Sequence, residues 1–212
     1  MSKPTTITLR PPSKYSSSPT STSSPPSPPP EWLHRTWSVT HSTLSMWRSA
    51  RNVRITYTPI SHPSSSSTTT SSSSPLRIDD LVEYESLDGS GKVKSVAGVD
   101  TASNPNDTGA WDWRGKGWLF FVSSHWEILG WGERPVPGGR GGEVERWVVT
   151  WFAPTLFTKE GVDVYSDRRE GVGEELLGEI MDALKGVEAE GVRKMCESDM
   201  RPVKIELPWK ER

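Results

Sequence analysis

The chain has little of the features that mark several common protein classes. It contains 212 residues and a single cysteine, Cys196, which excludes an internal disulfide and a zinc site built from several cysteines. No apolar run reaches the roughly 18 residues of a membrane-spanning helix. The first residues also lack the apolar stretch of a secretory signal. These absences predict a cytoplasmic protein in a reducing compartment.

Charge of either sign is not in surplus, and cofactor motifs are missing. Lys and Arg number 25 and Asp and Glu 27, so the net charge of −2 gives no reason to expect nucleic acid or a membrane as a partner. The four histidines are scattered, and no His-Glu-x-x-His or Gly-x-Ser-x-Gly motif occurs. Gly89–Lys92 resembles the end of a phosphate loop, but a strand-like segment follows it, so we predict a hairpin turn. We predict no metal and no cofactor, and the oligomeric state stays open.

Tryptophan is in excess, in a chain that is otherwise poor in apolar residues. Apolar residues make up 33% of the chain, yet there are 11 Trp against 4 Tyr and 4 Phe. Two tracts of Ser, Thr and Pro, at 11–30 and 61–75, account for much of the low apolar fraction and contain no Trp. Such tracts bury too little apolar area to offset chain entropy. We therefore predict disorder in the tail 1–30 and in the insertion 61–75.

Apolar and polar residues alternate in most of the remaining chain, which is the pattern of half-buried strands. The segments with this pattern, or with a continuous apolar run, are 36–43, 52–59, 81–87, 92–99, 118–131, 146–153 and 162–166. Residues 174–187 instead carry apolar side chains at helical spacing. Many antiparallel strands followed by a helix predict a closed up-and-down β-barrel of about eight strands, with the helix packed outside. We assign the barrel and helix to residues 31–187 and a C-terminal extension to 188–212.

The alternation also nominates side chains for the inner face, because an eight-stranded barrel has room for side chains or one small ligand. The candidate ligand-binding residues are Trp37, Val39, Ile55, Tyr84, Trp113, Trp118, Trp126, Trp147 and Trp151. In the strand at 146–153 the pattern leaves a second option, in which Val148 and Phe152 face inward. His125, Tyr57 and His41 are candidate catalytic residues, because each is a polar group among apolar neighbours that could orient a substrate carbonyl.

The segment around Trp37 resembles a known family. A short turn, a first strand with a Trp near its start, a series of hairpins and a late helix are similar to the lipocalin-like, or calycin, barrels. Arg35-Thr36-Trp37 stands where the lipocalin signature has Gly-x-Trp, and Arg168 or Arg169 matches the basic residue that packs over that Trp. The segments HSTLSMWRSARNVRITYTPI, WRGKGW and SSHWEILGWG are similar to fungal lipocalin-like proteins, a group that includes a pericyclase of pyrrocidine-type polyketide biosynthesis. The Gly of the signature is absent, and the motif before the seventh strand is not recognisable.

The resemblance implies a cofactor-free barrel that binds a small hydrophobic molecule and, as in the pericyclase, cyclises it. Such a reaction needs no nucleophile. A dry interior holds a polyene in its reactive conformation, and a donor such as His125 or Tyr57 stabilises charge that develops on a carbonyl. A non-catalytic carrier of an apolar ligand would have the same sequence features. Haem binding is a third alternative, although the sequence places no histidine at an open rim. Enzyme and carrier therefore stay open at this point.

Overall fold

Eight strands form a closed antiparallel barrel in the computed structural model, which describes residues 6–16, 25–60, 75–88, 91–105, 107–139 and 142–210. The strands are β1 (Thr36–Ser42), β2 (Ala50–Pro59), β3 (Arg77–Ser86), β4 (Val93–Asn104), β5 (Asp107–Gly115), β6 (Ser123–Pro135), β7 (Val144–Phe152) and β8 (Gly161–Ser166). A two-residue strand, β9 (Arg201–Pro202), adds to β1. The helices are α1 (Pro30–Leu33), α2 (Glu174–Gly186) and α3 (Glu190–Asp199). None of the helices in the described ranges has the length and apolar character needed to cross a membrane.

Each barrel strand pairs with the next one along the chain, and β1 closes the ring. It is hydrogen-bonded to β2 on one side and to β8 on the other, with Trp37 opposite Ile55 and Val39 opposite Tyr165. A closed ring gives each of these strands a neighbour on both sides, which removes the exposed edges that promote aggregation. The predicted fold class, a closed barrel of about eight strands with a C-terminal helix outside, is confirmed.

Side-chain alternation separates two apolar cores, one inside the barrel and one outside. The inner core includes Trp37, Val39, Ile55, Tyr57, Ile78, Trp111, Trp126, Val148 and Tyr165. The outer core lies between β6–β8 and the two long helices, and it includes Leu129, Trp147, Val149, Trp151, Val164, Leu176, Ile180 and Leu184. The apolar residues of α2 recur every four positions and are buried, which explains why this segment folds as a helix against the sheet. As a consequence, β7 and β8 are buried on both faces.

The two ends of the barrel differ. In an up-and-down barrel alternate loops share an end, so the β1–β2, β3–β4, β5–β6 and β7–β8 loops lie together, and we call this end the rim. The opposite end is covered by α1, where Trp37 Nε1 donates a hydrogen bond to Leu33 O at 3.1 Å. The Arg35 guanidinium lies 5.5 Å from the ring centres of both Trp32 and Trp37. The cation attracts the faces of the two rings and holds α1 against the barrel.

The basic residue over Trp37 is not the one that the resemblance implied. Arg168 forms an ion pair with Glu170 instead, and Arg169 packs on a different ring. Arg35 reaches Trp37 because it follows directly after α1, and its Nε donates to a carbonyl of that helix at 2.9 Å. The position that the resemblance assigned to a residue after the last barrel strand is therefore occupied by a residue before the first one.

Part of the tail that we predicted to be disordered is packed on the barrel. Residues 6–16 run along the outside of β6, where Leu9 is 9% exposed. Leu9 lies so close to Gly130 that a Cβ on this glycine would come within 2.3 Å of a Leu9 methyl carbon. Residues 25–29 also contact the barrel, through a backbone carbonyl that accepts a hydrogen bond from Trp131 Nε1 at 2.6 Å. Composition averaged over the whole tail concealed these two anchored segments.

Some of the other predicted segments lie outside the residues that the structure describes. The insertion 61–75 lies outside the described residues except for residue 75, and half of the Gly89–Lys92 turn lies outside them as well. In the C-terminal extension, α3 is followed by a segment that returns to the first two strands. Asn52 N donates to Lys204 O, and Val203 N donates to a β1 carbonyl, both at 2.8 Å. The extension therefore packs on the barrel as far as residue 210.

Candidate functional site

The inner face of the barrel holds more than half of the residues that the sequence proposed as a site. They are Trp37, Val39, Ile55, Tyr57, Tyr84, Trp113 and Trp126. The strand register places them on one face, since Trp37 stands opposite Ile55, and Tyr57 opposite Asp80. The remaining five candidates, His41, His125, Trp118, Trp147 and Trp151, lie elsewhere.

Three of the tryptophans that we predicted to bind the ligand do not face the barrel interior. Trp147 and Trp151 belong to the outer core, and the second option for β7 is the observed one, with Val148 and Phe152 facing inward. Both faces of β7 are apolar, so alternation alone could not distinguish them. Trp118 lies in a 3-10 turn at the rim and is 78% exposed, because β6 begins five residues later than the apolar run suggested.

The two histidines also lie outside the inner face. A β-bulge after Val39 shifts the alternation of β1, so His41 stands opposite a residue of the outer core. Burial lowers the pKa of His41. His125 is on the outer face of β6, with Nδ1 at 2.9 Å from Asp112 Oδ1. Of the three predicted catalytic residues, only Tyr57 belongs to the interior.

His125 is part of a polar network that fastens the N-terminal segment to the barrel. Its Nε2 lies 3.5 Å from Glu127 Oε1, and the hydrogen bond to Glu127 is the main reason that the pKa of His125 is raised. Glu127 is 1% exposed, accepts a hydrogen bond from Ser13 N at 2.9 Å and lies 3.2 Å from Arg10 Nη1. Burial opposes ionisation, but the bonds from His125 and Ser13 lower the pKa of Glu127. These contacts give the network a structural role on the outside of the barrel.

Sequence reasoning missed the polar residues that do face the interior. They are Asp80, Asp100, Thr150, Asp163 and Tyr165, none of them more than 7% exposed. The register places each opposite an inner-core residue or opposite another member of the set. One signal could have found Asp80, because it occupies an apolar position in the alternation, between Ile78 and Val82. We call Asp80, Asp100, Thr150, Asp163 and Tyr165 the interior polar group.

Two members of the interior polar group have hydrogen-bond donors. Trp126 Nε1 donates to Asp100 Oδ1 at 2.8 Å, and the Ser42 hydroxyl donates to Asp163 Oδ1. Four other polar atoms of the group make no close hydrogen bond within the described part of the chain, although the Thr150 hydroxyl interacts with Tyr165 and the Trp113 indole with Asp80. These four atoms are Asp80 Oδ1, Asp100 Oδ2, Thr150 Oγ1 and Tyr165 OH. A buried polar atom without a partner costs about 1–3 kcal/mol, so these atoms are available to ordered water or to a bound molecule.

Burial shifts the ionisation of the group towards its neutral form. It raises the pKa of Asp163 to about 7, although the Ser42 hydroxyl opposes the shift. It also raises the pKa of Asp80, which the neighbouring Asp100 carboxyl raises further, and burial likewise raises the pKa of Asp100. Two adjacent carboxyls in a dry site cannot both ionise easily, so at neutral pH this pair retains a proton. A neutral carboxyl can donate a hydrogen bond as well as accept one.

Aromatic rings line the surface beside these carboxyls. Tyr57 stacks on Trp126 with ring centres 5.7 Å apart, and Trp126 stacks on Trp111 at 5.9 Å, both nearly parallel. The Trp113 ring lies against Gly98, where a Cβ would come within 2.1 Å of Nε1. Gly98 stands opposite Asp80 in the sheet, so the absence of a side chain there lets the indole lie next to the polar group. The interior thus combines a large apolar wall with a few hydrogen-bonding atoms.

This arrangement is suited to an apolar molecule that carries a hydrogen-bonding group. Binding sites for small molecules typically have apolar and aromatic walls with a few placed polar atoms. The described residues include no cluster of three or more His, Cys, Asp or Glu with the geometry to hold a metal ion. The hydroxyls and carboxyls of the interior polar group provide donors and acceptors that can orient a ligand.

No protein-family model and no curated protein matches this chain. Among solved structures, lobster apocrustacyanin A1 is similar with a TM-score of 0.48 and 10% identity, over 84% of this chain and 81% of that one. Apocrustacyanin C2 gives 0.48 and 9%, over 82% and 78% of the two chains. Ex-FABP, described as a siderocalin, gives 0.46 and 8%, over 83% and 95%. These neighbours are lipocalin-type barrels, and their similarity concerns the fold alone.

Proposed function

We propose that the barrel interior binds a small apolar molecule that carries an oxygen able to hydrogen-bond, such as a carbonyl. The observation that carries the proposal is the set of four unpartnered polar atoms on an inner surface walled by stacked aromatic rings. The rings provide apolar contact area for the ligand, and hydrogen bonds to the polar atoms fix its orientation. A ligand oxygen that reached Asp100 Oδ2 would satisfy an atom that is otherwise buried without a partner.

The ionisation of the group favours a neutral ligand over a cation. Burial raises the pKa values of Asp80, Asp100 and Asp163, so a protonated carboxyl is available as a donor at neutral pH. A carbonyl accepts such a bond, whereas an amine would first require the carboxyl to ionise in a dry site. Ionisation there is costly unless the cation provides full compensation.

Two variants at one position test the proposal by calorimetric titration at pH 7. The probe is β-ionone, a conjugated ketone, and the control ligand is the hydrocarbon of the same skeleton without the carbonyl. Asp100→Leu removes both oxygens, while Asp100→Asn keeps a donor and an acceptor. We expect Asp100→Leu to weaken ketone binding about tenfold, Asp100→Asn to preserve most of it, and neither to weaken hydrocarbon binding.

Three results would contradict the proposal. One is the absence of binding by either ligand, and another is equal affinity of the wild type for ketone and hydrocarbon. The third is tighter binding of the corresponding amine that is lost in Asp100→Asn, which would make the carboxyl a counter-ion. Urea unfolding of both variants at the same pH separates a lost ligand contact from a lost fold.

Cyclisation of the bound molecule is a second candidate function, and the protonated carboxyls favour it. A neutral acid in an apolar site can stabilise charge that develops on a carbonyl oxygen in the transition state. A polyene held in one conformation by Tyr57, Trp126 and Trp111 would gain most of its acceleration from orientation. No nucleophile is needed for such a pericyclic step. A carrier would bind the same molecule and return it unchanged.

Turnover separates the cyclase from the carrier. The assay incubates the wild type, Asp100→Asn and Asp100→Leu with polyene ketones extracted from the cells that naturally make this protein. Mass spectrometry and chiral chromatography follow the products. If the protein is a cyclase, we expect the wild type to form a product of unchanged mass and a single stereochemistry. We expect Asp100→Leu to form this product at least tenfold more slowly. Binding without any isomer of the same mass would leave the carrier as the function.

A further inference from the structure

Large apolar side chains are exposed almost exclusively at the rim of the barrel. Seven of the eight such side chains in the described ranges lie in the four loops that meet there: Met46, Leu87, Trp118, Phe120, Phe121, Leu156 and Phe157. The eighth, Leu207, lies in the C-terminal segment. Soluble monomers rarely expose contiguous apolar patches unless they have a partner. The restriction to one end of the molecule indicates an interaction surface.

The β5–β6 loop carries the largest part of this surface. Residues 118–122 are five apolar residues in succession, and Trp118, Phe120 and Phe121 are 78%, 67% and 56% exposed. The loop is a defined turn, in which Phe120 N donates to Gly117 O at 3.2 Å and Arg114 Nη1 donates to Phe120 O at 2.9 Å. The backbone therefore holds three rings away from the body of the protein.

The β7–β8 loop repeats this arrangement beside it. Leu156 is 94% exposed and Phe157 is 67% exposed. Thr155 N donates to Thr158 O at 2.9 Å, and the two threonine hydroxyls are also 2.9 Å apart, so this loop too is a closed turn. Two neighbouring loops thus present apolar side chains on projecting tips. Projecting tips of this kind fit a deformable partner, because such a partner needs no preformed complementary surface.

The four rim loops contain more basic residues than acidic ones, with Arg48, Lys92, Lys116 and Lys159 against Asp88 and Glu160. Arg48, Arg114 and Lys159 lie in or beside three of the four loops, and none forms an ion pair with a carboxylate of the described residues. Glu160, the acid next to Lys159, pairs with Lys14 at 2.7 Å, and it lines a groove beside Met46 and Phe157 together with Asp199. Apolar tips in loops with a surplus of basic residues match the interface of a bilayer, which has an acyl layer beneath anionic phosphates.

We propose that the rim docks on the surface of a lipid bilayer that carries anionic headgroups, with the Trp118–Phe121 and Leu156–Phe157 tips inserted at its interface. A second copy of the chain suits the surface less well, because a two-fold contact would bring the cations of both rims together. A bilayer requires no complementary groove, and it solvates apolar tips wherever they project. This inference goes beyond the proposed function, since docking requires no molecule inside the barrel.

Vesicle co-sedimentation tests the proposal with the full chain. The probes are vesicles of phosphatidylcholine alone and vesicles with about 30% phosphatidylglycerol. We expect binding to the mixed vesicles, weakened at least tenfold by the triple change Trp118→Ser, Phe120→Ser and Phe121→Ser. Leu207→Ser, an exposed apolar residue outside the four loops, should bind as the wild type does.

A second set of variants tests the charges. Arg48→Gln, Arg114→Gln and Lys159→Gln together should weaken binding to the mixed vesicles about tenfold. The same change in net charge made on α2, α3 and β9, by replacing Lys185, Lys194 and Arg201 with Gln, should weaken it far less. Equal binding of the wild type to neutral and anionic vesicles would overturn the role of the headgroups.

Light scattering of the protein without lipid gives the remaining outcome. Absence of vesicle binding, or unchanged binding by the triple serine variant, would overturn the proposal. So would a wild-type dimer that becomes monomeric in that variant and does not sediment with vesicles, because a second copy would then cover the rim. The serine variant should keep the thermal midpoint of the wild type, since its three rings are exposed in the fold.

Discussion

The buried carboxyl of Asp163 should make the protein less stable as the pH rises through neutrality. Burial raises the pKa of Asp163 from an ordinary 3.8 to about 7, against the opposing hydrogen bond from Ser42. A carboxyl with a higher pKa in the folded chain than in the unfolded chain holds its proton more tightly when folded. Its contribution to stability is therefore present at acidic pH and is lost as the pH rises to the folded-state pKa.

The size of this effect follows from the two pKa values. In the folded chain the pKa of Asp163 is about 7, so at pH 5 its carboxyl is protonated. In the unfolded chain the same carboxyl is already ionised at pH 5. Each pH unit below the folded-state pKa corresponds to about 1.4 kcal/mol, so this group should remove about 3 kcal/mol from the free energy of unfolding between pH 5 and pH 8. Asp163→Asn stays neutral, and its amide oxygen can still accept the Ser42 hydrogen bond. The free energy of unfolding of the variant, relative to that of the wild type, should therefore rise by about 3 kcal/mol between pH 5 and pH 8.

Urea unfolding at pH 5, 6, 7 and 8 and constant ionic strength measures the difference between the two proteins. Working with the difference removes the contribution of Glu127 and Glu160, whose lowered pKa values act in the opposite direction at more acidic pH. Asp182→Asn is the matched control, because this carboxyl is 77% exposed and pairs with Lys185 in the same helix. Its difference from the wild type should stay within about 0.5 kcal/mol. A flat difference for Asp163→Asn would refute the inference that Asp163 is protonated in the folded chain at pH 5.

Three further substitutions have expected outcomes that can be measured by urea unfolding or proteolysis. Gly98→Ala places a Cβ 2.1 Å from Trp113 Nε1 and should destabilise the fold by about 1–3 kcal/mol, whereas Gly178→Ala in α2, which meets no atom within 4 Å, should stabilise it by about 0.5–1 kcal/mol. Equal effects would argue against the close packing of the Trp113 ring. Glu127→Gln weakens the charge-assisted bonds to Ser13 and should increase cleavage near residues 6–16 by a protease at least fivefold, with no new site within the strands. Unchanged cleavage would mean that Leu9 packing alone holds this segment.

The fold followed from the sequence where one physical pattern acted alone. In β2 and β3, residues such as Ile55 and Val82 alternate with polar ones because only one face of each strand meets the apolar interior. The helix α2 was equally clear, since its apolar residues recur every four positions. Closure into a barrel followed from the number of successive strands, because unpaired edges would otherwise be exposed.

The inner site was harder to predict because several positions depend on tertiary contacts. Val148 and Trp147 are both apolar, and only the helices packed outside β7 decide which of them faces inward. His41 left the inner face through a bulge, and no residue type marks that bulge in the sequence. The inward aspartates were overlooked because a lone Asp in a strand usually reads as surface, and its burial shows only when neighbouring strands are assembled. Tyr57 was correctly placed because the alternation is regular from Ile55 onward, beyond the irregularity between Arg51 and Arg54.

The membrane argument made from the sequence considered spanning segments and net charge. Neither quantity detects a short loop such as residues 117–122, whose apolar character matters only because the turn projects it from the fold. The charge argument has the same limit, because a net charge of −2 does not describe where Arg48, Arg114 and Lys159 lie. Local placement, rather than composition, sets the properties of the rim.

The unequal burial of the barrel wall has a consequence for how this protein can change over evolutionary time. Every residue of β8 and most of β7 is buried, so a substitution there must satisfy two packed interiors at once. In the second half of β4 buried and accessible positions alternate, and no helix of the described residues covers the side turned away from the interior. Mutations that reshape the inner surface should therefore accumulate on the first half of the barrel, from β2 to β5. The second half should stay nearly constant in related chains, and a library that seeks new ligands should vary the first half alone.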